Sequence, residues 1–528
     1  MKRRILIAVF LFVNFFVLSQ NKKYNIVFIA VDDLKPLLNC YGYNQMITPN
    51  FDRLAKNGVI FTNAHVQQAV CGPSRASVMT GTYPDHNKVW DLHTDFRVSA
   101  PQLVSMPEYL ISQNYFTTVT GKKIFHDGSC SPGHDAKSWS QKYHLENPKD
   151  SKKGRPAFRV FYTDSINNLV NKYMKEAKAS GLKEQEEIEL YALKKVMISS
   201  ENLDVSDASY EDGLYADIAV KKLKKLAKKN NPFFYAIGFS RPHLPFNAPI
   251  KYWDLYDRNK IELEKFQKLV PNTPSFIYHN FGELRAYNDI DNSYNNQNLI
   301  PENKQRELIH GYMACISYVD AQLGKILDAI ESNDLAKNTI IVLWGDHGYH
   351  LGDHTMWCKH SNFEQATRIP LMFSGPMIAK NKQVNQAVEL LDIFPTLFDL
   401  CNLDIPNQVD GISLKNLLDN DENTIVEKDF ALSQYPRHGN RMGYSIRTNT
   451  YRYTEWHKNG YNTSKTYDEN NIEFIELYDF EKDALETINL INDEKYSEVV
   501  KLLKEKLVKH LNKLNKKNNL NKYENSPN

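Results

Sequence analysis

The 528-residue chain lacks several things, and each lack narrows what it can be. Neither sign of charge dominates. Its 65 Lys and Arg stand against 63 Asp and Glu, a net charge of +2, so no global field favours nucleic acid or an acidic surface as a partner. Any anion site must therefore be local. The six cysteines, Cys40, Cys71, Cys130, Cys315, Cys358 and Cys401, form no CxxC pair, which argues against a structural zinc site and a dense disulfide scaffold. No internal repeat is evident. The early apolar run, residues 5–18, is shorter than the ~20 residues a membrane span needs. Behind Lys2, Arg3 and Arg4 and ahead of Ser19, Gln20 and Asn21, it reads as an export signal over residues 1–20. The expectation is a periplasmic or secreted protein with no stable membrane insertion. No cysteine sits where a bacterial lipid anchor would need one.

What is present is an alternation of strand and helix patterns. Residues 24–31 (YNIVFIAV), 115–120, 233–239, 339–344 and 370–373 read as strands. Residues 107–113, 213–229, 304–332 and 384–400 carry apolar residues at helical spacing. Such alternation predicts an α/β fold, a mostly parallel sheet flanked by helices. Ligands in such sheets gather at the carboxyl ends of strands. Two strands end in acids, one at Asp32 and Asp33 and the other at Asp346, which points to one shared site. From about residue 441 the texture changes to short strands at 444–448, 451–455 and 474–477 and a Lys/Leu-rich helix at 496–514. We therefore expect a catalytic domain over 21–440, a smaller antiparallel subdomain over 441–515, and a frayed tail over 516–528.

The most informative segment is VCGPSRASVMTG, residues 70–81. Around it lie the acidic strand ends and three basic clusters, each placed after or near a strand. These are GKKIFH (121–126), SRPHLPF (240–246) and WCKHSNFE (357–364). Adjacent acids on a strand point to opposite faces, so Asp32 and Asp33 can serve one ion only where the chain turns. Carboxylates suit a hard cation such as Ca²⁺, which accepts six to eight oxygen ligands. Acids converging without a dication would repel one another strongly.

Cys71, Gly72, Pro73, Ser74 and Arg75 match the C-x-P-S-R signature of type I, formylglycine-dependent sulfatases. Together with GYSIR (443–447) and the 451–453 segment, the motifs make the chain similar to the iduronate-2-sulfatase-like subgroup, from residue 24 to about 493. The resemblance implies the alkaline-phosphatase-type fold and a sulfatase-maturating enzyme that reads residues 71–75. It implies that Cys71 is oxidised to formylglycine, whose hydrated aldehyde takes the sulfuryl group and expels sulfate by reforming the carbonyl. Ca²⁺ would be held by Asp32, Asp33, residue 71 and Asp346. His347 would either add a nitrogen ligand or hydrogen-bond the nucleophile. Arg75 would assist the nucleophile, and Lys359 with Lys123 would neutralise sulfate oxygens. His243 would protonate the leaving oxygen, and His126 would help collapse the intermediate. The lysine pair leaves an alternative open, because Lys123 has the family's spacing to His126 while Lys122 has its neighbour Gly121. Lys122, His360 and Arg447 are assigned to substrate binding.

The resemblance implies a sulfated carbohydrate substrate. Within that class the reading favours an algal polymer, ulvan ahead of carrageenan, with a glycosaminoglycan as the alternative. Two readings compete from outside. A phosphodiesterase of the same superfamily would use Ser or Thr with two zinc ions, against which Cys71 speaks. A non-catalytic glycan-binding homologue would have lost a key residue, and every expected type is present.

Overall fold

Residues 25–31 are apolar after Asn25 and buried at every position, as a strand covered on both faces must be. Its alternate residues divide between two cores. Val27, Ile29 and Val31 enter one, and Ile26, Phe28 and Ala30 the other. The computed structural model describes residues 23–121, 124–126, 130, 132–142, 164–183, 185–419 and 428–524. The main sheet contains β1 (Asn25–Val31), β2 (Gly58–His65), β3 (Phe116–Gly121), β4 (Phe233–Phe239), β5 (Thr339–Gly345), β6 (Arg368–Ser374) and β7 (Lys382–Val384). Their order is β7-β2-β6-β5-β1-β4-β3, and the short strand Val388–Glu389 also pairs with β2. All pairings are parallel except those of β6, which runs antiparallel to both β2 and β5.

Helices cover both faces. Helix α1 (Cys71–Thr80) and the helix Ile393–Leu400 lie on one side, with Val78, Met79, Phe394 and Leu397 in the core. Helices α2 (Glu211–Leu226) and α3 (Glu302–Ser332) lie on the other, through Ala216, Leu223, Tyr312 and Val319. The expected helix over 384–400 is shorter than its apolar pattern. Residues 388–389 pair with β2, and only Ile393–Leu400 is α-helical.

The second sheet is an antiparallel meander of β8 (Ala431–Arg437), β9 (Arg441–Arg447), β10 (Tyr451–His457) and β11 (Ile472–Asp479). It therefore begins at Ala431, ten residues before the expected boundary, because β8 pairs along the whole of β9. Helix α4 (Ser497–Glu524) closes it, with Leu503, Leu507, Leu511 and Leu514 packed on Tyr444, Ile446 and Tyr453. The tail expected to fray from 516 continues this helix to Glu524. Side chains on its inner face hold it there, since Asn518 donates to Thr463 Oγ1 (2.9 Å) and Lys517 to Val409 O (2.8 Å). The export signal, residues 1–20, lies outside the described residues. No described helix is long and apolar enough to cross a membrane.

Candidate active site

The site forms at the carboxyl ends of β1 and β5, facing the N-terminus of α1. The acids that follow β1 leave the strand at once. Asp32 N donates to Phe239 O of β4 (3.1 Å), and Asp33 has a left-handed backbone (φ 59). That turn removes the strand's alternation and lets both carboxylates serve one place. Tyr312 of α3 pins it, since its hydroxyl donates to Asp33 O (2.6 Å) and accepts from Lys35 N (3.0 Å). After β5, Asp346 N donates to Val31 O (3.3 Å), and Asp346 Oδ1 accepts from Asp33 N (2.9 Å).

Every residue of α1 is buried. Gly72 is required there, because a Cβ would meet Asp91 O at 2.5 Å. Cys71 Sγ, on the first turn, lies 3.2 Å from His347 Nε2 and 3.5 Å from Asp32 Oδ1. Arg75, four residues on, shares Cys71's face of the helix. Its Nη2 contacts Asp32 Oδ1 (2.8 Å) and Asp346 Oδ2 (2.9 Å), and Nε donates to Asp346 Oδ2 (3.1 Å). The guanidinium also rests against the Trp344 ring, 5.7 Å from its centroid. His347 Nδ1 sits 3.0 Å from Gly348 O and so carries its proton there, which turns the Nε2 lone pair towards Asp33 Oδ1 (3.3 Å) and Asp346 Oδ2 (3.5 Å).

This donor set fits a divalent cation. Ligand atoms of Asp32, Cys71, Asp346 and His347 lie within 4.8 Å of one another, as do those of Asp32, Asp33, Cys71 and His243. Burial pushes the Asp33 carboxyl well above the usual range despite Lys359, and pushes Asp346 up to about 7 despite Arg75. Neighbouring acids add to both rises. A dication would offset that cost, and oxygen-rich donors suit a hard one. Burial, joined by Asp32, also pushes the Cys71 thiol up, so the unmodified cysteine is a poor thiolate nucleophile.

Lys359 reaches the same place. It follows the short hairpin His350–Leu351 and Trp357–Cys358, and both its neighbours, Cys358 (φ 70) and His360 (φ 72), have left-handed backbones. Its Nζ lies 3.0 Å from Asp33 Oδ2 and 3.0 Å from Glu283 Oε2. His243 Nε2 lies 3.2 Å from Glu283 Oε1. The turn carrying His243 is fixed by Asp212, which accepts from Ser240 N and Arg241 N (both 2.8 Å). His360 Nδ1 meets Tyr435 Oη at 2.7 Å. His126 is partly buried just past β3, two strands from β1, and its carbonyl accepts from Cys130 Sγ (3.2 Å). Lys122 and Lys123 lie outside the described residues.

Arg447 departs from expectation. Its guanidinium is bound to Glu364 (Nε–Oε2 2.9 Å, Nη2–Oε1 3.2 Å) and stacked on Phe480, 3.6 Å from the ring centroid. It ties the second sheet to the first domain and is committed there. Glu283, Tyr435 and Arg437, whose Nη2 donates to His360 O (2.7 Å), went unmarked in the sequence. Glu283 sits in an aperiodic stretch between β4 and α3, with no motif to flag it.

The chain is similar to known proteins over most of its length. A family model described as Sulfatase matches residues 24–403, and one described as N-sulphoglucosamine sulphohydrolase, C-terminal, matches 352–513. Iduronate 2-sulfatase of Homo sapiens is 31% identical over 546 residues, covering 92% of this chain and 94% of that protein. A sulfatase of Formosa agariphila is 30% identical over 501 residues, covering 92% and 87% respectively. The solved structure of a 2-O GAG sulfatase has the same fold, with a TM-score of 0.66 at 21% identity and 93% of each chain covered.

Proposed function

The chain belongs to the sulfatase family, hydrolases of sulfate esters, and on that premise we propose that it acts on a sulfated polysaccharide or its oligosaccharides, using Ca²⁺ and a formylglycine made from Cys71. The observation that carries this reading is Cys71 on the first turn of α1, 3.2 Å from His347 and 3.5 Å from Asp32, with Arg75 clamping two of the acids. Asp32, Asp33, Asp346 and His347, with residue 71, would hold the ion. When present, the ion and the aldehyde hydrate supply positive charge and an oxygen nucleophile.

The chain's own groups do the rest. Arg75 orients residue 71 and adds charge behind it. Lys359, together with Lys123 or Lys122, neutralises sulfate oxygens as charge builds on them. His243 protonates the leaving oxygen, and His126 assists release of sulfate. The burial of this constellation excludes water, which strengthens each of these interactions. Residues 1–20 direct export in this reading, and a maturating enzyme acts on residues 71–75.

For the substrate we favour a uronate-bearing sulfated polymer, ulvan ahead of carrageenan. A glycosaminoglycan is the second reading, favoured by the similarity to iduronate 2-sulfatase. With Arg447 committed to Glu364, the basic groups beside the site that could meet a uronate are His360 and Arg437. The test is sulfate release from ulvan, carrageenan, heparan and chondroitin oligosaccharides. Release from ulvan alone supports the first reading. Release from a glycosaminoglycan without ulvan supports the second, and release from none of them by formylglycine-bearing protein counts against both.

A further inference from the structure

His350 touches none of the groups of the site, yet it spans the turn that carries Lys359. Its backbone pairs with Cys358 in the short antiparallel hairpin, one residue before that lysine. Its ring reaches the other end of the turn, where Nε2 lies 2.8 Å from Ser361 Oγ. Nδ1 is hydrogen-bonded to Asp353 Oδ2, and Asp353 Oδ1 accepts from Leu351 N (3.1 Å). Whichever atom donates at Nε2, the ring ties Ser361 to Asp353. Ser, His and Asp in this order resemble a nucleophile with its base. All three side chains are buried, Ser361 and His350 completely, so no ester can reach the hydroxyl. Their role is mechanical, and the turn between Cys358 and Ser361 is what they hold. Cys358 (φ 70) and His360 (φ 72) are left-handed, a conformation that non-glycine residues keep only where their surroundings impose it. Lys359 lies between them, with Nζ 3.0 Å from Asp33 Oδ2 and 3.0 Å from Glu283 Oε2. A lysine stem is flexible, so where its ammonium rests depends on how firmly the backbone beneath it is held.

We propose that His350 is a positioning residue for Lys359, clamping both ends of its turn, with Asp353 fixing the ring and Ser361 receiving it. The proposal rests on the sulfatase reading above, in which the Lys359 ammonium meets sulfate oxygens. The backbone pairing fixes the turn on the side of Cys358, and the ring fixes it on the side of Ser361. With the second link cut, the left-handed residues are free to relax, and the ammonium moves away from where a sulfate group must lie. The same displacement weakens the hold on a sulfate ester and on free sulfate, since both present the same oxygens to the lysine.

Dependence on Lys359 separates this role from a general structural one. The measurements are kcat/KM for 4-nitrophenyl sulfate and the inhibition constant of inorganic sulfate, in fully formylglycine-bearing protein. Ser361→Ala cuts only the link between ring and turn. It should weaken inhibition by sulfate about tenfold and lower kcat/KM by a similar factor, the scale of a single hydrogen bond. Ser361→Thr, which keeps the hydroxyl, should stay close to wild type. His350→Phe removes both ring contacts, should show the same paired loss, and covers the case in which the alanine variant folds poorly. Combined with Lys359→Ala, Ser361→Ala should cause no further fall in kcat/KM, because the group it positions is gone. Sulfate inhibition unchanged in both single variants, or a tenfold loss that persists in the Lys359→Ala background, would overturn the role assigned to His350 and leave the sulfatase reading intact. Wild type that neither turns over the ester nor is inhibited by sulfate would instead overturn the sulfatase reading, and the proposal with it.

Discussion

Cys71 and Arg75 are one helical turn apart, and that spacing joins the proposed nucleophile position to the acids. The Cys71 side chain is small, and its loss leaves the Arg75 contacts with Asp32 and Asp346 in place. Cys71→Ala should therefore fold normally and lose turnover completely, which sulfate release and circular dichroism together would show. Intact-mass analysis of wild type from a maturation-competent host should find formylglycine at position 71. Full activity in the alanine variant would sink the covalent route. Glu364 offers a second expectation at this scale. Burial works against its charge, but the Arg447 guanidinium, joined by His65 and Arg368, outweighs burial and brings the carboxyl down to about 2. Its folded value is thus lower than its unfolded one, so its contribution is complete above about pH 4.5 and is lost as pH falls towards 2. That contribution is roughly 3 kcal/mol. Urea midpoints measured across this window should fall with pH in wild type and change less in Glu364→Gln.

At the scale of elements, the ends of β1 and β5 form a single functional unit. The two strands pair in parallel with Val31 beside Gly345, so their terminal acids emerge side by side. Three buried carboxylates there make the unoccupied cluster costly and the cation-bound one favourable. Exhaustive chelation should lower both activity and Tm, and added Ca²⁺ should restore them. An ion at a hundred times its Kd contributes about 2.7 kcal/mol. Asp346→Ala should abolish the calcium-dependent rise in Tm. Zinc restoring activity where calcium does not would favour the phosphodiesterase-type reading.

At the scale of the whole molecule, the second sheet braces the first domain. Arg447 pairs with Glu364, and Arg452 pairs with Glu486, which also accepts from Glu364 N (2.9 Å). Breaking a buried pair from one side typically costs about 3–5 kcal/mol. Arg447→Ala should therefore lower stability by that order, measured by denaturant unfolding, while KM for a small aryl sulfate stays close to wild type. A selective rise in KM for uronate-bearing substrates with unchanged stability would return Arg447 to a substrate role. Because every residue of α1 is buried, the maturating enzyme proposed above would have to meet residues 71–75 before the chain folds. Unmodified protein that has already folded should then resist conversion by added enzyme, while unfolded chain should accept it.

The sequence by itself determined the alternation of strands and helices around β1, β3, β4, β5 and β6, the two acidic strand ends and the motif segment at residues 70–81. Each of these is local, written in periodicity over a few residues or in one contiguous motif. The left-handed backbone that lets Asp32 and Asp33 act together was also foreshadowed, since adjacent acids on a strand can meet one ion only at a turn. Other features depended on partners distant in the chain, and only the tertiary structure decided them. Arg447 looked available for a sugar until Glu364, 83 residues away, was seen to hold it. Lys517 and Asn518 looked like part of a polar tail until Val409 and Thr463 were seen to accept their hydrogen bonds. Glu283 had no motif at all, and it became part of the site because the connection between β4 and α3 folds back over Lys359 and His243. Side chains of that kind draw their role from what surrounds them in space, and a one-dimensional pattern carries no record of those neighbours.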